Sequence, residues 1–125
     1  MATRFEKLTP MLNVPDVSAT VAWYVSIGFE VLHTFEEDGV PNWALLGRDA
    51  AEVMINKRDL PKDSALGANL YVHVDDIEAL WADLKDRVTV SEALTDQFYG
   101  MRDFWIEDPN GYTLGFGQKI EAAAG

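Results

Sequence analysis

The chain has 125 residues, 48% of them hydrophobic and 25% charged, which is the composition of a single globular domain. Its 10 Lys and Arg against 21 Asp and Glu give a formal net charge of −11, which argues against a nucleic-acid partner and permits a cationic ligand. The sequence has no cysteine, no apolar signal segment in residues 1–7 and no apolar run near the ~20 residues of a membrane span. We therefore expect a cytoplasmic protein with no disulfide, no thiolate nucleophile and no membrane partner.

An internal repeat at an offset of 60 residues organises the chain. The segment VPDVSA at 14–19 recurs as VDDIEA at 74–79. In each copy a strand leads to an Asp that suits a helix N-cap, and a helix follows. The repeat predicts two modules of the same order.

The first module is predicted to be β-α-β-β-β. Its elements are a strand at 8–14, a helix at 17–27 that ends at Gly28, and strands at 29–36, 43–46 and 52–56. Turns are predicted at 38–41 and 47–49. The predicted buried face of the helix consists of Val17, Val21, Tyr24 and Val25.

The second module repeats this order, with a strand at 69–74, a helix at 77–85 and strands at 88–93, 101–107 and 112–116. The segment DPNG at 108–111 is a strong hairpin signal and carries no chemistry. The predicted buried face of this helix consists of Ile77, Leu80, Trp81 and Leu84. We expect one domain over 1–125, with modules at about 5–58 and 68–118, a linker at 59–67 and a tail at 119–125. The fold class is α+β, with two βαβββ modules that form a cupped mixed sheet.

Period-two alternation gives each strand one apolar face and one mixed face. The apolar face should pack under the helices. The mixed face carries Met, Tyr and Asn where a solvent face usually carries Lys and Glu, which favours a partly desolvated ligand surface over simple gap filling. The ligand-contact candidates on this face are Thr9, Met11, Met54, Asn69 and Tyr71.

Aromatic side chains near predicted strand ends are further ligand-contact candidates, because they can stack on flat heteroaromatic or sugar groups. They are Phe35, Trp43, Phe98, Tyr99 and Trp105. For each of them, packing in the core or in a dimer interface is the alternative. The acidic run at 36–38 is either a solvated hairpin end or a rim that meets a cationic ligand.

The double βαβββ order resembles the vicinal-oxygen-chelate superfamily, which includes glyoxalase I, extradiol dioxygenases, and the fosfomycin and bleomycin resistance proteins. The resemblance is carried by VPDV at 14–17, IGF at 27–29, and YGMRDF at 99–104 before DPNG at 108–111, and it spans essentially the whole chain. It looks closest to the bleomycin resistance branch, whose strand before Asp-Pro-x-Gly reads like Gly-Arg-Glu-Phe. Here Met101 is inserted between the Gly and the Arg of that pattern.

In the metal-dependent enzymes of this superfamily, His or Glu ligands lie on the first, fourth, fifth and eighth strands. The matching positions here are Thr9, Met54, Asn69 and Gly115, which do not supply the anionic or imidazole ligands that a divalent ion needs. The resemblance therefore implies no metal, no cofactor and no catalytic residue. It implies a homodimer that, like the bleomycin resistance proteins, sequesters a cationic aromatic ligand such as bleomycin in a groove between subunits.

Two alternatives remain open at this point. One is a metal-dependent lyase, isomerase or dioxygenase with displaced ligands, for which His73 and Glu52 are the candidate pair, although two ligands fall short of a site. By residue type alone, Glu52, Asp103 and His73 are also candidates for acid–base chemistry. The other alternative is a metabolite-binding member with no resistance role.

Overall fold

The computed structural model describes residues 3–59 and 68–121. The chain divides into two compact units, Met1–Lys62 and Asp63–Gly125. Of the predicted linker at 59–67 only the first residue is described, and the predicted tail lies outside the described residues from 122 onward.

Unit 1 has the predicted order β-α-β-β-β. Its elements are β1 Met11–Val14, α1 Val17–Ser26, β2 Glu30–Glu37, β3 Val40–Arg48 and β4 Ala51–Lys57. The strands form one four-stranded sheet in the order β1-β4-β3-β2. β1 pairs with β4 in parallel, and the other pairs are antiparallel, so the sheet is mixed.

Unit 2 repeats this topology. Its elements are β5 Asn69–His73, α2 Ile77–Leu84, β6 Thr89–Asp96, β7 Met101–Glu107 and β8 Thr113–Lys119. The sheet order is β5-β8-β7-β6, again with one parallel pair, β5 and β8. The α+β class and the two βαβββ modules are thus confirmed, and each module builds its own four-stranded mixed sheet.

Both helices begin at the aspartates that the repeat predicted as N-caps. Asp16 Oδ1 accepts the backbone N–H of Ala19 at 3.0 Å, and Asp76 Oδ1 accepts that of Ala79 at 3.1 Å. α1 ends one residue earlier than predicted, because Ile27 is already its C-cap. Neither helix of the described residues, at 10 and 8 residues, is long and apolar enough to span a bilayer.

The core of unit 1 lies between α1 and one face of its sheet. Leu12, Val53 and Leu46 are at most 4% exposed there. The prediction for the helix face was wrong at one position: Val25 is 45% exposed, and Thr20 is buried instead. Thr20 can be buried because its hydroxyl donates to the backbone oxygen of the N-cap residue at 2.8 Å.

The core of unit 2 is more aromatic. The ring of Phe104 lies 5.0 Å from that of Trp81 on α2 and is stacked 5.5 Å from that of Phe116 on β8. Ile77 and Leu84 of α2 are buried, as predicted.

Several predicted strand ends were wrong. β1 begins only at Met11, and Leu8, which was placed in this strand, is 87% exposed. The turn predicted at 38–41 is confined to Asp38 and Gly39, which both have positive φ and form a tight hairpin turn. β3 therefore begins at Val40, earlier than predicted. β3 likewise runs through Gly47, which was predicted to lie in a turn. β6 and β8 each continue three residues beyond their predicted ends, to Asp96 and Lys119.

Candidate functional site

Strand register defines a mixed face on the sheet of unit 2. Residues paired directly across neighbouring strands point to the same side of a sheet. Three such rows cross β5, β8 and β7, and together they form what is here called the unit 2 face. The rows are Asn69–Thr113–Glu107, Tyr71–Gly115–Trp105 and His73–Gly117–Asp103.

Two glycines of β8 form the floor of the unit 2 face. A Cβ at Gly115 would lie 2.7 Å from ring atoms of Trp105, and a Cβ at Gly117 would overlap the phenol oxygen of Tyr71. Only glycine therefore lets these two rings lie against the β8 backbone. The rings of Tyr71 and Trp105 are 5.6 Å apart between centroids and tilted by 60°.

A buried carboxylate anchors this face. Asp103 is 0% exposed, and its side chain accepts hydrogen bonds from the hydroxyls of Tyr71 at 3.0 Å and Tyr99 at 2.5 Å. The Nε2 of Gln97 donates to its other oxygen at 3.0 Å. Three donors compensate the loss of hydration that burial imposes on a charged group.

The turn between β6 and β7 is fixed to the same cluster. Gln97 also donates from Nε2 to Glu92 Oε1 at 2.7 Å, and its backbone N–H bonds to the Met101 carbonyl at 2.7 Å. The turn presents two aromatic rings, Phe98 at 98% exposure and Tyr99 at 49%. These rings contact each other edge to face at 5.2 Å.

Both phenols at this carboxylate are harder to ionise than usual. Burial, followed by the hydrogen bond to Asp103 and the charge of Asp103, raises the pKa of Tyr71 well above its ordinary value. The hydrogen bond to Asp103 is the main reason that the pKa of Tyr99 rises to about 12, with burial and the charges of Asp103 and Glu92 adding to it. The neighbouring Trp105 indole opposes this rise.

Unit 1 has a corresponding mixed face, which we call the unit 1 face. Two rows cross its sheet, Met11–Met54–Leu45–His33 and Asn13–Asn56–Trp43–Phe35. Asn56 Nδ2 donates to Asn13 Oδ1 at 3.0 Å. A cavity of about 580 Å³ opens at the aromatic end of this face and is lined by Thr34, Phe35, Asn42, Trp43, Asn56 and Lys57.

Most of the predicted ligand-contact residues meet within their own unit. In unit 1, Met11 pairs with Met54 and Phe35 pairs with Trp43, whereas Thr9 lies half-buried just before β1. In unit 2, Tyr71, Tyr99 and Trp105 join the Asp103 cluster. Asn69 lies one row away and accepts a hydrogen bond from Thr113, and Phe98 points into solvent.

The sequence did not reveal the roles of the residues that organise these groups. Asp103 was considered as an acid–base candidate and as part of the motif at 99–104. Asn13 and Asn56 were placed on the mixed face without a role, and Gln97 was not considered. A signal for part of the cluster was present: the two glycines of β8 fall on the mixed face by alternation, and glycines in a strand interior mark a close approach of other groups.

The metal positions implied by the superfamily do not fit an ion here. Gly115 has no side chain and is covered by Trp105, while Met54 pairs with Met11. Within residues 3–59 and 68–121, no three His, Cys, Asp or Glu side chains are grouped so that they could hold a metal. Glu52 instead forms an ion pair with Lys7 at 2.9 Å, and the ring of His73 contacts that of Tyr71 at 5.2 Å.

The βαβββ order, which occurs once in each unit, defines the fold class of this protein. Over residues 7–116 the sequence matches the model of the Glyoxalase/Bleomycin resistance protein/Dioxygenase superfamily, and the chain belongs to that superfamily. No curated protein sequence matches the chain significantly.

Solved structures with the same fold include TioX and two bleomycin-binding proteins. TioX from Micromonospora sp. ML1 is similar with a TM-score of 0.78 and 20% identity, over 92% of this chain and 100% of that one. A bleomycin-binding protein complexed with bleomycin has a TM-score of 0.73 and 20% identity, over 92% and 99%. The bleomycin-binding protein of bleomycin-producing Streptomyces verticillus, complexed with copper(II)-bleomycin, has a TM-score of 0.72 and 23% identity, over 97% and 100%.

Proposed function

We propose that this protein binds a small cationic, aromatic ligand, such as a bleomycin-family antibiotic, and sequesters it without transforming it. The observation that carries the proposal is the unit 2 face, where Tyr71 and Trp105 present aromatic surface beside the fixed charge of Asp103. Aromatic surface next to negative charge suits a flat ligand that carries a positive group.

The unit 1 face supports the same proposal with different groups. Phe35 and Trp43 are neighbours across β2 and β3 and line the cavity together with the amide of Asn56. Rings and amides of this kind can stack on a heteroaromatic ligand and bond to its polar edge. Thr9, Met11, Met54, Asn69, Phe98 and Tyr99 complete the ligand-contact set that we propose.

Superfamily membership and the bleomycin-binding proteins of similar fold support the choice of ligand class. At 20% and 23% identity these similarities concern the fold, so the ligand itself is part of the proposal. The net charge of −11 supports the cationic character of the ligand, because it would raise the local concentration of cations. We place this binding in the cytoplasm.

We further propose that the protein is a homodimer. β2 is an edge strand of its sheet, and all eight of its residues are exposed. Val31, Leu32 and Phe35 on this strand are 46%, 43% and 56% exposed, which is more apolar surface than an uncovered edge strand usually carries. A second copy would cover it. Sedimentation velocity tests this: a species of monomer mass at all concentrations would contradict the dimer and leave the ligand proposal intact.

Calorimetric titration with metal-free bleomycin tests the ligand. We expect saturable binding at micromolar concentrations, and about tenfold weaker binding, ~1.4 kcal/mol, for Trp105→Ala and for Trp43→Ala. Trp23→Ala is the matched control, because Trp23 lies on α1 and belongs to neither strand face. Titration that releases no heat at these concentrations would discard the antibiotic, and binding that survives both variants would discard the proposed faces.

A further inference from the structure

Two phenols donate their hydroxyl hydrogens to one buried carboxylate. The hydroxyls of Tyr71 and Tyr99 both lie within hydrogen-bond distance of Asp103 Oδ2. An ionised carboxylate has no hydrogen to donate, so each phenol must be the donor in its bond. Asp103 is fully buried, and its other oxygen, Oδ1, accepts a third hydrogen bond from Gln97 Nε2, which can only donate.

These two hydrogen bonds determine which further hydrogen bonds the phenols can form with another molecule. A phenol oxygen whose hydrogen is used can only accept further hydrogen bonds. Tyr71 is half-buried and Tyr99 is about half exposed, so both lie where a bound molecule could contact them.

The charged residues near the cluster also favour a ligand that donates hydrogen bonds. Glu92 is exposed and is tied to Gln97 at 2.7 Å, which places a second carboxylate beside the cluster. Arg102, the neighbour of Asp103 in sequence, points to the opposite side of β7, where it pairs with Glu78 and Asp96. Its charge is therefore used on the other face of the sheet.

We propose that Asp103 determines the specificity of the unit 2 face by fixing Tyr71 and Tyr99 as hydrogen-bond acceptors. The face then receives groups that present N–H donors on a flat scaffold, such as an amidinium, a guanidinium or an aryl ammonium, and disfavours carboxylates and phosphates. This inference rests on the proposed function in one respect, that the unit 2 face receives a ligand.

Two isosteric probes test the inference directly, namely benzamidinium and benzoate, which share a phenyl ring and differ in offering N–H donors or oxygen acceptors. Binding is followed by NMR through the indole N–H signal of Trp105 in the full chain. We expect the wild-type protein to bind benzamidinium about tenfold more tightly than benzoate. Equal binding of the two probes, or a preference for benzoate, would overturn the proposal.

The variant Asp103→Asn isolates the role of the carboxylate. An amide can donate to the phenol oxygens and so free their hydrogens to point outward, and we expect the preference for benzamidinium to fall at least about fivefold. Asp96→Asn is the charge-matched control, because Asp96 pairs with Arg102 on the opposite side, and it should keep the preference. If Asp96→Asn lowers the preference as much as Asp103→Asn does, net charge is the cause and the proposal fails.

Two further variants keep the test decisive if Asp103→Asn does not fold. Tyr71→Phe and Tyr99→Phe remove one acceptor each, and we expect each to weaken benzamidinium binding about threefold while leaving benzoate unchanged. Unchanged benzamidinium binding in both variants would overturn the proposal. A protein that prefers benzamidinium but ignores bleomycin would support this inference and count against the antibiotic, whereas one that binds bleomycin without that preference would contradict this inference alone.

Discussion

The two units share a scaffold and differ on their mixed faces. At the repeat offset of 60, Met11 corresponds to Tyr71, and both pair in parallel with the last strand of their unit, with Met54 and Gly115 respectively. The row Met11–Met54–Leu45 in unit 1 thus corresponds to Tyr71–Gly115–Trp105 in unit 2. In the next row, Asn56 and Trp43 correspond to Gly117 and Asp103.

One repeat thus produces two kinds of surface. In unit 1 the last strand carries side chains that fill the face themselves. In unit 2 the same strand carries glycines, and the rings of Tyr71 and Trp105 from its two neighbouring strands occupy the space instead. Their positions allow the carboxylate of Asp103 to be buried and fully bonded. The helix-side positions remain apolar in both units, so the fold tolerates the change.

The largest expected loss of stability comes from adding a side chain at a glycine of β8. A Cβ at Gly117 would overlap the Tyr71 phenol oxygen and lie 2.6 Å from its Cζ, so Gly117→Ala should force Tyr71 away from Asp103 and cost up to about 3 kcal/mol. Gly47→Ala in β3 of unit 1 is the matched control. There the nearest atom, at 2.8 Å, is the flexible tip of Leu32, which can move at little cost. Urea denaturation of both variants measures the difference.

A double variant sharpens this prediction. In a Tyr71→Ala background the clash is absent, so adding Gly117→Ala should cost much less than it does alone. Equal losses in the two backgrounds would mean that the glycine is required for some reason other than the Tyr71 ring.

A smaller loss is expected from removing the buried carboxylate. Asp103→Ala removes the acceptor of two phenols and one of the two acceptors of Gln97. Since the phenols can turn to water, the expected cost is about 2 kcal/mol. Asp96→Asn changes the exposed ion pair with Arg102, which screening weakens, so it should leave the denaturation midpoint almost unchanged. A stable Asp103→Ala protein would show that the cluster is not a structural requirement of unit 2.

The helix caps should respond alike in both units, because they belong to the shared scaffold. Asp16→Ala and Asp76→Ala each remove one side-chain acceptor from a helix N-terminus, and each should cost about 1 kcal/mol. The corresponding Asn variants retain an acceptor and should stay within a few tenths of a kcal/mol of wild type. A large difference between the two Ala variants would mean that the two N-caps contribute unequally to the free energy of unfolding.

How well each feature could be predicted depends on how far apart in the sequence the residues that determine it lie. The caps at Asp16 and Asp76 and the bounds of β7 were predictable because helix starts and hairpin signals are local in sequence. The start of β1 was not, because it depends on the register with β4, in which pairing begins at Met11 beside Met54. The Asp103 cluster was the least accessible, since it joins Tyr71 and Asp103, 32 residues apart, through the register of β5, β8 and β7. Alternation predicted the face of Tyr71 but not the neighbour that it would meet.

The smallest effect at neutral pH, and the most specific to unit 2, concerns phenol ionisation. The pKa of Tyr99 rises to about 12 in the folded protein, while an unfolded chain releases the proton near pH 10. Because the folded-state pKa is the higher one, this contribution to stability is complete below about pH 10 and is lost as the pH rises towards 12. Unfolding free energies measured across this range should therefore fall less steeply for Tyr99→Phe than for wild type. Ultraviolet titration of Asp103→Asn should find Tyr99 ionising at a lower pH than in wild type, because the hydrogen bond to the carboxylate is the main cause of its raised pKa. The shift at Tyr71 should be smaller, because burial is the largest cause there. The equivalent of Asp103 in unit 1 is Trp43, so the unit 1 face has no carboxylate at this position that could raise the pKa of a phenol.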